Sequence, residues 1–459
     1  MRRTVCLFIL FLTLSATAQE NYMEKANQYY SMLNYEQAFE YYFLALEDNP
    51  KLYNQVKSRL QTLLLYDVNK SIADEMRIAL LKKTQEKPEN EQFARLLMWF
   101  ALQQEDYDIA LEQCKSLDRR FNDQDAQLIT IAHICFDNGQ YALAKEAFEY
   151  LITKGKINPY YGDAVVGAVK TESQLCKINH VEDKTVYERL NQKIEEAYPE
   201  IGSKEYPNLV EIQADILAYH LDQPQAAVDL LLKVINQTNN KNQQNQLKLK
   251  LADIYLYIDE VWEATLLYSQ VDKSMKDDPL GHEARFRNAQ LRYFIGEFAW
   301  AETQLHVLKA ATSKLIANDA MSLSLIISDN LEADTSGMEL QRLARADYKI
   351  YRHKDDEALP ILDSICHNGN EISKPHALFR LAELKEKKHD YASADELFIQ
   401  LVKDFPDSYM ADDALMRAAL IEDQQLKNKE AAKQHYEQLI DNYPTSLYTA
   451  QAKKNYRRL

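Results

Sequence analysis

Residues 22–50 read YMEKANQYYSMLNYEQAFEYYFLALEDNP, and this stretch decides the fold. Tyr22, Ala26 and Tyr29 follow one helical spacing and Tyr35, Ala38, Tyr42 and Ala45 a second, with Asn34 between them. The pattern predicts two short helices folded back on one another. Ala26 and Ala38 are small where the helices must cross, and large side chains fill the space beside them. Pro50 then stops the second helix, because proline cannot donate to the preceding turn.

The same second-helix alanine returns at Ala73, Ala110, Ala144, Ala226, Ala264, Ala301, Ala358, Ala394 and Ala432. Counted in sequence positions from Ala38, the successive steps are 35, 37, 34, 82, 38, 37, 57, 36 and 38. The step of 82 hides a degenerate hairpin between Tyr160 and Pro199, and the step of 57 an extra helix or long loop over roughly Ala317 to Ser336. A bundle of unrelated amphipathic helices has no such second period. Ala382 precedes Ala394 by the same interval that separates Ala26 from Ala38. After it Leu397, Phe398, Leu401, Val402 and Phe405 line one continuous apolar face, which Pro406 closes. No hairpin covers such a face alone, so neighbours have to stack.

These residues resemble the tetratricopeptide repeat, two helices in about 34 residues. The resemblance implies an all-α, right-handed α-solenoid of about ten to eleven hairpins with a capping helix at 447–459. On this reading the arrays run over 19–235 and 247–446. The wholly polar stretch Asn236 to Gln246 is expected to be a loop or hinge between them. Phe405-Pro406-Asp407-Ser408-Tyr409 with Ala414, echoed by Tyr443-Pro444-Thr445-Ser446-Leu447-Tyr448 with Ala452, resembles repeats of Gram-negative envelope proteins. Among those are the lipoprotein of the outer-membrane β-barrel assembly machine and the cell-division coordinator associated with the Tol system. Ala317-Asn318-Asp319-Ala320 and Lys453-Lys454-Asn455-Tyr456-Arg457-Arg458-Leu459 are similar to an uncharacterised Bacteroidota family of the same repeat. The chain departs from the assembly lipoprotein in its greater length and in having no cysteine placed for lipidation.

The stretch 1–18 predicts an export signal: Arg2-Arg3 precede an apolar run from Val5 to Leu14, and Ala16-Thr17-Ala18 offers a small-x-small cleavage site before Gln19. The run is about half of the roughly 20 residues that span a bilayer. The composition agrees with a folded helical protein: 9 Gly, 11 Pro, 46% hydrophobic and 27% charged residues. The net charge of −16, or −18 without Arg2 and Arg3, repels phosphate backbones and anionic lipid, which disfavours nucleic acid and polybasic membrane docking. Cys114, Cys135, Cys176 and Cys366 have no metal or redox spacing. Cys114 and Cys135 fall on adjoining helices where an exported protein could join them, and buried free thiols are the expected state.

Catalytic signatures are missing: the sequence has no HExxH, GxSxG, P-loop or dinucleotide fingerprint, and its ten His are scattered. Glu195-Glu196 and Asp355-Asp356-Glu357 read as solvated acidic runs. No catalytic residue, metal ligand or cofactor is expected. Stacked hairpins leave a face lined by their first helices, and aromatic side chains there suit a peptide or a partner helix. Trp99, His133, Phe136, Tyr257, Phe286, Tyr293, Phe294 and Tyr351 are the residues expected on it. The reading is therefore a non-catalytic, protein-binding scaffold of the bacterial envelope, with protein partners in an outer-membrane assembly or transport complex. A glycan-binding accessory of an uptake system is the alternative.

Overall fold

The computed structural model describes residues 22–65, 67, 71–203, 205–311 and 314–459; the stretch 1–18, read above as an expected export signal, lies outside them. Twenty-four α-helices and no strand occur among the described residues. The chain divides into two compact units, the first ending at Val181 with Gln192–Leu209 added, the second formed by Glu182–Asn191 and Val210–Leu459.

The first unit stacks α1 (22–31), α2 (Tyr35–Asp48), α3 (Tyr53–Leu65), α4 (Ser71–Glu86), α5 (Glu91–Gln103), α6 (Tyr107–Phe121), α7 (Asp125–Asp137), α8 (Tyr141–Thr153) and α9 (Tyr161–Ile178). The division between units runs through α10 (Lys184–Ala197) and α11 (Tyr206–Asp215, continued in π geometry over Ile216–His220). The second unit continues with α12 (Pro224–Gln237), α13 (Lys241–Tyr257), α14 (Val261–Ser274), α15 (Pro279–Phe294), α16 (Phe298–Ala311), α17 (Lys314–Ala333), α18 (Met338–Tyr351) and α19 (Asp355–Asn368). It ends with α20 (Ser373–Lys387), α21 (Tyr391–Asp404), α22 (Ala411–Gln424), α23 (Lys429–Asn442) and the capping α24 (Thr449–Arg458). The described helices fall into eleven successive pairs, with α17 and α24 left over.

The alanine period has a structural cause. Ala38, Ala110, Ala144, Ala264, Ala301, Ala358, Ala394 and Ala432 are each the fourth residue of a second helix and are 0% exposed, so backbones cross where only a methyl group fits. Three positions differ from expectation. Ala73 is the third residue of α4 and is 6% exposed. In α12 the crossing residue is Ala227, at 0%, while Ala226 faces solvent. In α10 the fourth position holds Tyr187, whose ring stacks on His220 with centroids 3.9 Å apart, which is why this hairpin looked degenerate.

Inside the hairpins one turn geometry recurs. A residue two or three positions past the end of the first helix is left-handed in ten turns, and in eight of them it is not glycine: Leu33, Glu105, His180, Asp222, Asp259, His353, His389 and Lys427. The next N–H donates to the carbonyl five residues back, as from Asp106 to Ala101, Gln140 to Cys135, Glu260 to Tyr255 and Glu297 to Arg292, each 2.8 Å. This is the bond that closes a left-handed helix terminus and satisfies an otherwise orphaned carbonyl. A Cβ in that region costs about 1–2 kcal/mol. Glu105→Gly, exposed in such a turn, should therefore stabilise the chain by about 0.5 kcal/mol after glycine's own entropy is subtracted; a lower denaturation midpoint would refute the strain.

The polar stretch at 236–246 is not a loop. Only residues 238–240 separate α12 from α13, and Asn240 caps the latter by accepting from the N–H groups of Asn242 and Gln243. Asn245 is buried and donates to the Lys241 carbonyl and to Ser274 Oγ. A run of polar residues thus forms the first turns of a helix, because its termini and side-chain amides are hydrogen-bonded. The extra element behind the step of 57 is α17, which packs along α16. With α17 inserted, α18 also lies against α15.

Candidate functional site

In the first unit several basic side chains of the first helices stand over or beside aromatic rings of the neighbouring first helices. Lys57 of α3 places Nζ 5.6 Å from the Trp99 ring of α5, and Lys170 of α9 stands 4.5 Å from the Phe136 ring of α7. His133, with a side chain 47% exposed, stands 3.2 Å from Asp163 and edge-on to Phe148. Trp99 is buried to 8% exposure, so it presents an edge, whereas His133 and Lys170 face solvent and Phe136 is half-buried. A cation over a ring contributes about 0.5–1 kcal/mol at exposed sites and holds both groups in place.

The second unit treats the equivalent face differently. α18 reaches back to α13: Tyr348 Oη donates to Asp259 (2.8 Å) and to the Leu256 carbonyl (3.2 Å), Tyr351 Oη to the Asp253 carbonyl (3.3 Å), and Arg352 Nε to the Tyr257 carbonyl (2.9 Å). Phe294 stacks on Tyr348 at 5.2 Å and leans on Tyr351 at 5.5 Å. Tyr293, 1% exposed, donates to Asp347 (2.9 Å), which also accepts from Arg380 (3.0 Å). Tyr257 meets Tyr219 edge-on, and Phe286 is half-buried against the core. Tyr293 and Phe294 are thus core residues and Tyr257 and Tyr351 are engaged within the chain: the expected anchors meet each other.

Beneath them is a polar cluster. Asp253 pairs with Arg287 and accepts from Tyr268 Oη (2.7 Å), Arg287 also pairs with Glu283, and Lys250 pairs with Asp215 (2.9 Å). Burial raises the pKa of Asp253, opposed by Arg287 and Lys250. Burial likewise raises that of Glu211.

Two further features lie in the last hairpins. Clefts of about 430 and 660 Å³ flank the segment Pro406–Tyr409. The first holds His376, 5% exposed, pushed down to about 4 by burial and then by Arg380; it therefore sits there as a neutral ring near pH 7. The second feature joins α21, α22 and α23: one ligand atom from each of Asp395, Glu422 and His435 lies within 4.8 Å of the others. Asp395 is pushed up to about 7, first by burial and then by its carboxylate neighbour Glu422. These three are spread over three helices and carry no ligand-spacing signature, so sequence reasoning had no means of finding them. Cys114, Cys135 and Cys176 are buried free thiols and Cys366 is a half-buried one; burial pushes Cys114 up to about 12 and Cys135 to about 11, which makes them inert.

Among solved structures, the chain is similar to the Naa15/Naa10 complex bound to HypK-THB, at 12% identity over 96% of this chain and 66% of that one, TM-score 0.34. The chain thus spans about two thirds of that protein's length. It is similar also to a tetratricopeptide repeat protein from Parabacteroides merdae, at 10% identity over 64% of this chain and 98% of that one, TM-score 0.32. The TPR domain of P58(IPK) aligns at 13% identity over 88% of this chain and 96% of that one, TM-score 0.22. No curated protein matches. Residues 376–408 and 413–446, the α20–α21 and α22–α23 hairpins, match the tetratricopeptide repeat family.

Proposed function

We propose that this protein is a non-catalytic scaffold of a bacterial cell envelope, and that it holds a segment of a protein partner against the first-helix face of its first unit. The observation that carries the reading is the contrast between the two units: the second consumes Tyr293, Phe294 and Tyr351 in contacts of its own, while the first leaves His133 and Lys170 exposed beside the half-buried ring of Phe136. Aromatic rings beside cations on successive helices suit a partner segment carrying acidic and apolar side chains. Export rests on Arg2-Arg3, the apolar run and Ala16-Thr17-Ala18; mass spectrometry of the mature N-terminus should find Gln19 first. No helix among the described residues is long and apolar enough to cross a membrane.

The test uses photo-cross-linking at position 136 of the mature chain in envelope extracts, followed by affinity measurement with the partner it identifies. Phe136→Ala with Lys170→Glu should weaken binding about 30-fold or more, as loss of a central anchor does. Tyr293→Phe, which removes only the bond to Asp347, should leave binding unchanged. Equal binding by all three proteins would sink the proposal, and retention of an oligosaccharide without any protein would replace it with the glycan-binding reading.

A further inference from the structure

Asp395 on α21, Glu422 on α22 and His435 on α23, the first and last half-buried, converge within the two hairpins that match the repeat family. In such hairpins the space between three helices is ordinarily filled by apolar side chains, as Phe398, Leu401, Ala418, Ala419 and Tyr436 fill it nearby. Here two carboxylates point into it. Glu422 is 8% exposed, and Glu422 Oε2 and Asp395 Oδ1 are both buried without a hydrogen-bond partner among the described residues other than the neighbouring carboxyl group. Neither carboxylate belongs to an ion pair among those residues, although the surface around them is rich in pairs such as Arg417–Glu386 and Lys387–Asp355.

Buried charges of one sign side by side are costly, and the group must either hold a proton between them or bind a cation. The third member decides the chemistry. An imidazole nitrogen supplies a neutral donor, which calcium and magnesium seldom use but which zinc and its neighbours in the transition series favour. We infer that Asp395, Glu422 and His435 form a binding site for a divalent transition-metal ion, zinc being the best fit, with water completing a tetrahedral shell. Zinc bonds of about 2.0–2.2 Å place tetrahedral ligand atoms about 3.3 Å apart. The three ligand atoms lie within 4.8 Å of one another, so on binding an ion they would have to close by about 1.5 Å at most. The ion would cross-link three consecutive helices, and its binding would add to the stability of the last repeats.

The mature full-length chain, stripped with a chelator, is titrated with zinc by calorimetry and with cobalt by visible absorption. One equivalent should bind, and the intense cobalt spectrum of a four-coordinate site should appear. Glu422→Gln keeps the shape of the side chain and removes its charge; it should weaken binding about 100-fold or more, beyond the 10–100-fold that outer-shell changes cause. His435→Asn, at a half-buried position, should do the same while the circular dichroism of the protein stays unchanged. His306→Ala, on the exposed face of α16, should bind as the parent does. Absence of a zinc site in the parent chain would overturn the inference and leave the carboxylates sharing a proton. Equal zinc binding by the parent and by the Glu422→Gln, His435→Asn double variant would overturn it as well.

Discussion

Arg287→Ala should destabilise the second unit by about 3–5 kcal/mol, the loss seen when one partner of a buried ion pair is removed. Arg287 on α15 pairs with Asp253 of α13 and with Glu283 on its own helix, and the Asp253 side chain is only 13% exposed. Without the guanidinium, Asp253 keeps the Tyr268 hydroxyl as a donor but loses its nearest opposite charge. The cost therefore comes mainly from the charge left behind. A paired change of Arg287 and Asp253 to apolar residues of similar volume should restore most of the stability for the same reason. Lys184→Ala is the control: Lys184 and Asp222 are 57% and 72% exposed, and removing this pair should change stability by about 0–1 kcal/mol. Denaturant unfolding gives the two values, and hydrogen exchange should localise the Arg287→Ala effect to α13–α18, where the polar cluster and the α18 contacts lie. Equal losses in the two variants would show that the cluster is solvated and that α18 does not seal it.

Gly281→Ala should cost about 3 kcal/mol or more, at the upper end of overpacking effects. A Cβ at Gly281 would stand 2.0 Å from the carbonyl oxygen of Met275 and 2.6 Å from its carbonyl carbon. Both atoms are backbone, so no rotamer change relieves the clash, and the α14–α15 connection has to move. That connection is fixed at both ends: the Met275 N–H donates to Val271, and the Asp278 side chain accepts from Leu280 N–H at the start of α15. Gly162→Ala tests the argument from the other side. Its nearest neighbours are side-chain atoms of Glu205, Cγ at 3.3 Å and Oε2 at 3.6 Å, which can give way, so the substitution should cost less than about 1 kcal/mol. A Gly281→Ala protein as stable as the Gly162→Ala protein would mean that the close approach of α15 to Met275 is not required.

Much of the architecture was legible in the residues. The spacing of Ala38, Ala110, Ala144 and their successors marks the crossing points, because backbone contact at a crossing excludes anything larger, and the second helices follow from it. The degenerate hairpin was placed correctly between Tyr160 and Pro199, and the extra element at 317–336 is α17. The shift from Ala226 to Ala227 was not legible: two adjacent alanines look alike until a neighbour selects one. Nor was the helix at 241–246, where Asn, Gln and Lys suggested a loop and a cap at Asn240 made a helix of them.

The candidate surface was half legible. Trp99, His133, Phe136, Tyr257, Phe286, Tyr293, Phe294 and Tyr351 do all lie on first helices, as the repeat requires. Which of Tyr257, Phe294 and Tyr351 remains open depends on the register of α18 against α13 and α15, and that is a matter of contacts far apart in the chain. The Asp395, Glu422 and His435 trio belongs to the same class of information.

The sequence by itself determined the repeating unit: local helix signals, a methyl-sized residue at every crossing, and apolar stripes that no lone hairpin can cover. These are properties of residues within one hairpin and the next, and local spacing encodes them. Tertiary structure alone decided which face stays open, which carboxylates are driven together and where a glycine is compulsory. Those outcomes depend on the desolvation of one side chain by another brought in from a distant helix, and no local pattern carries that information.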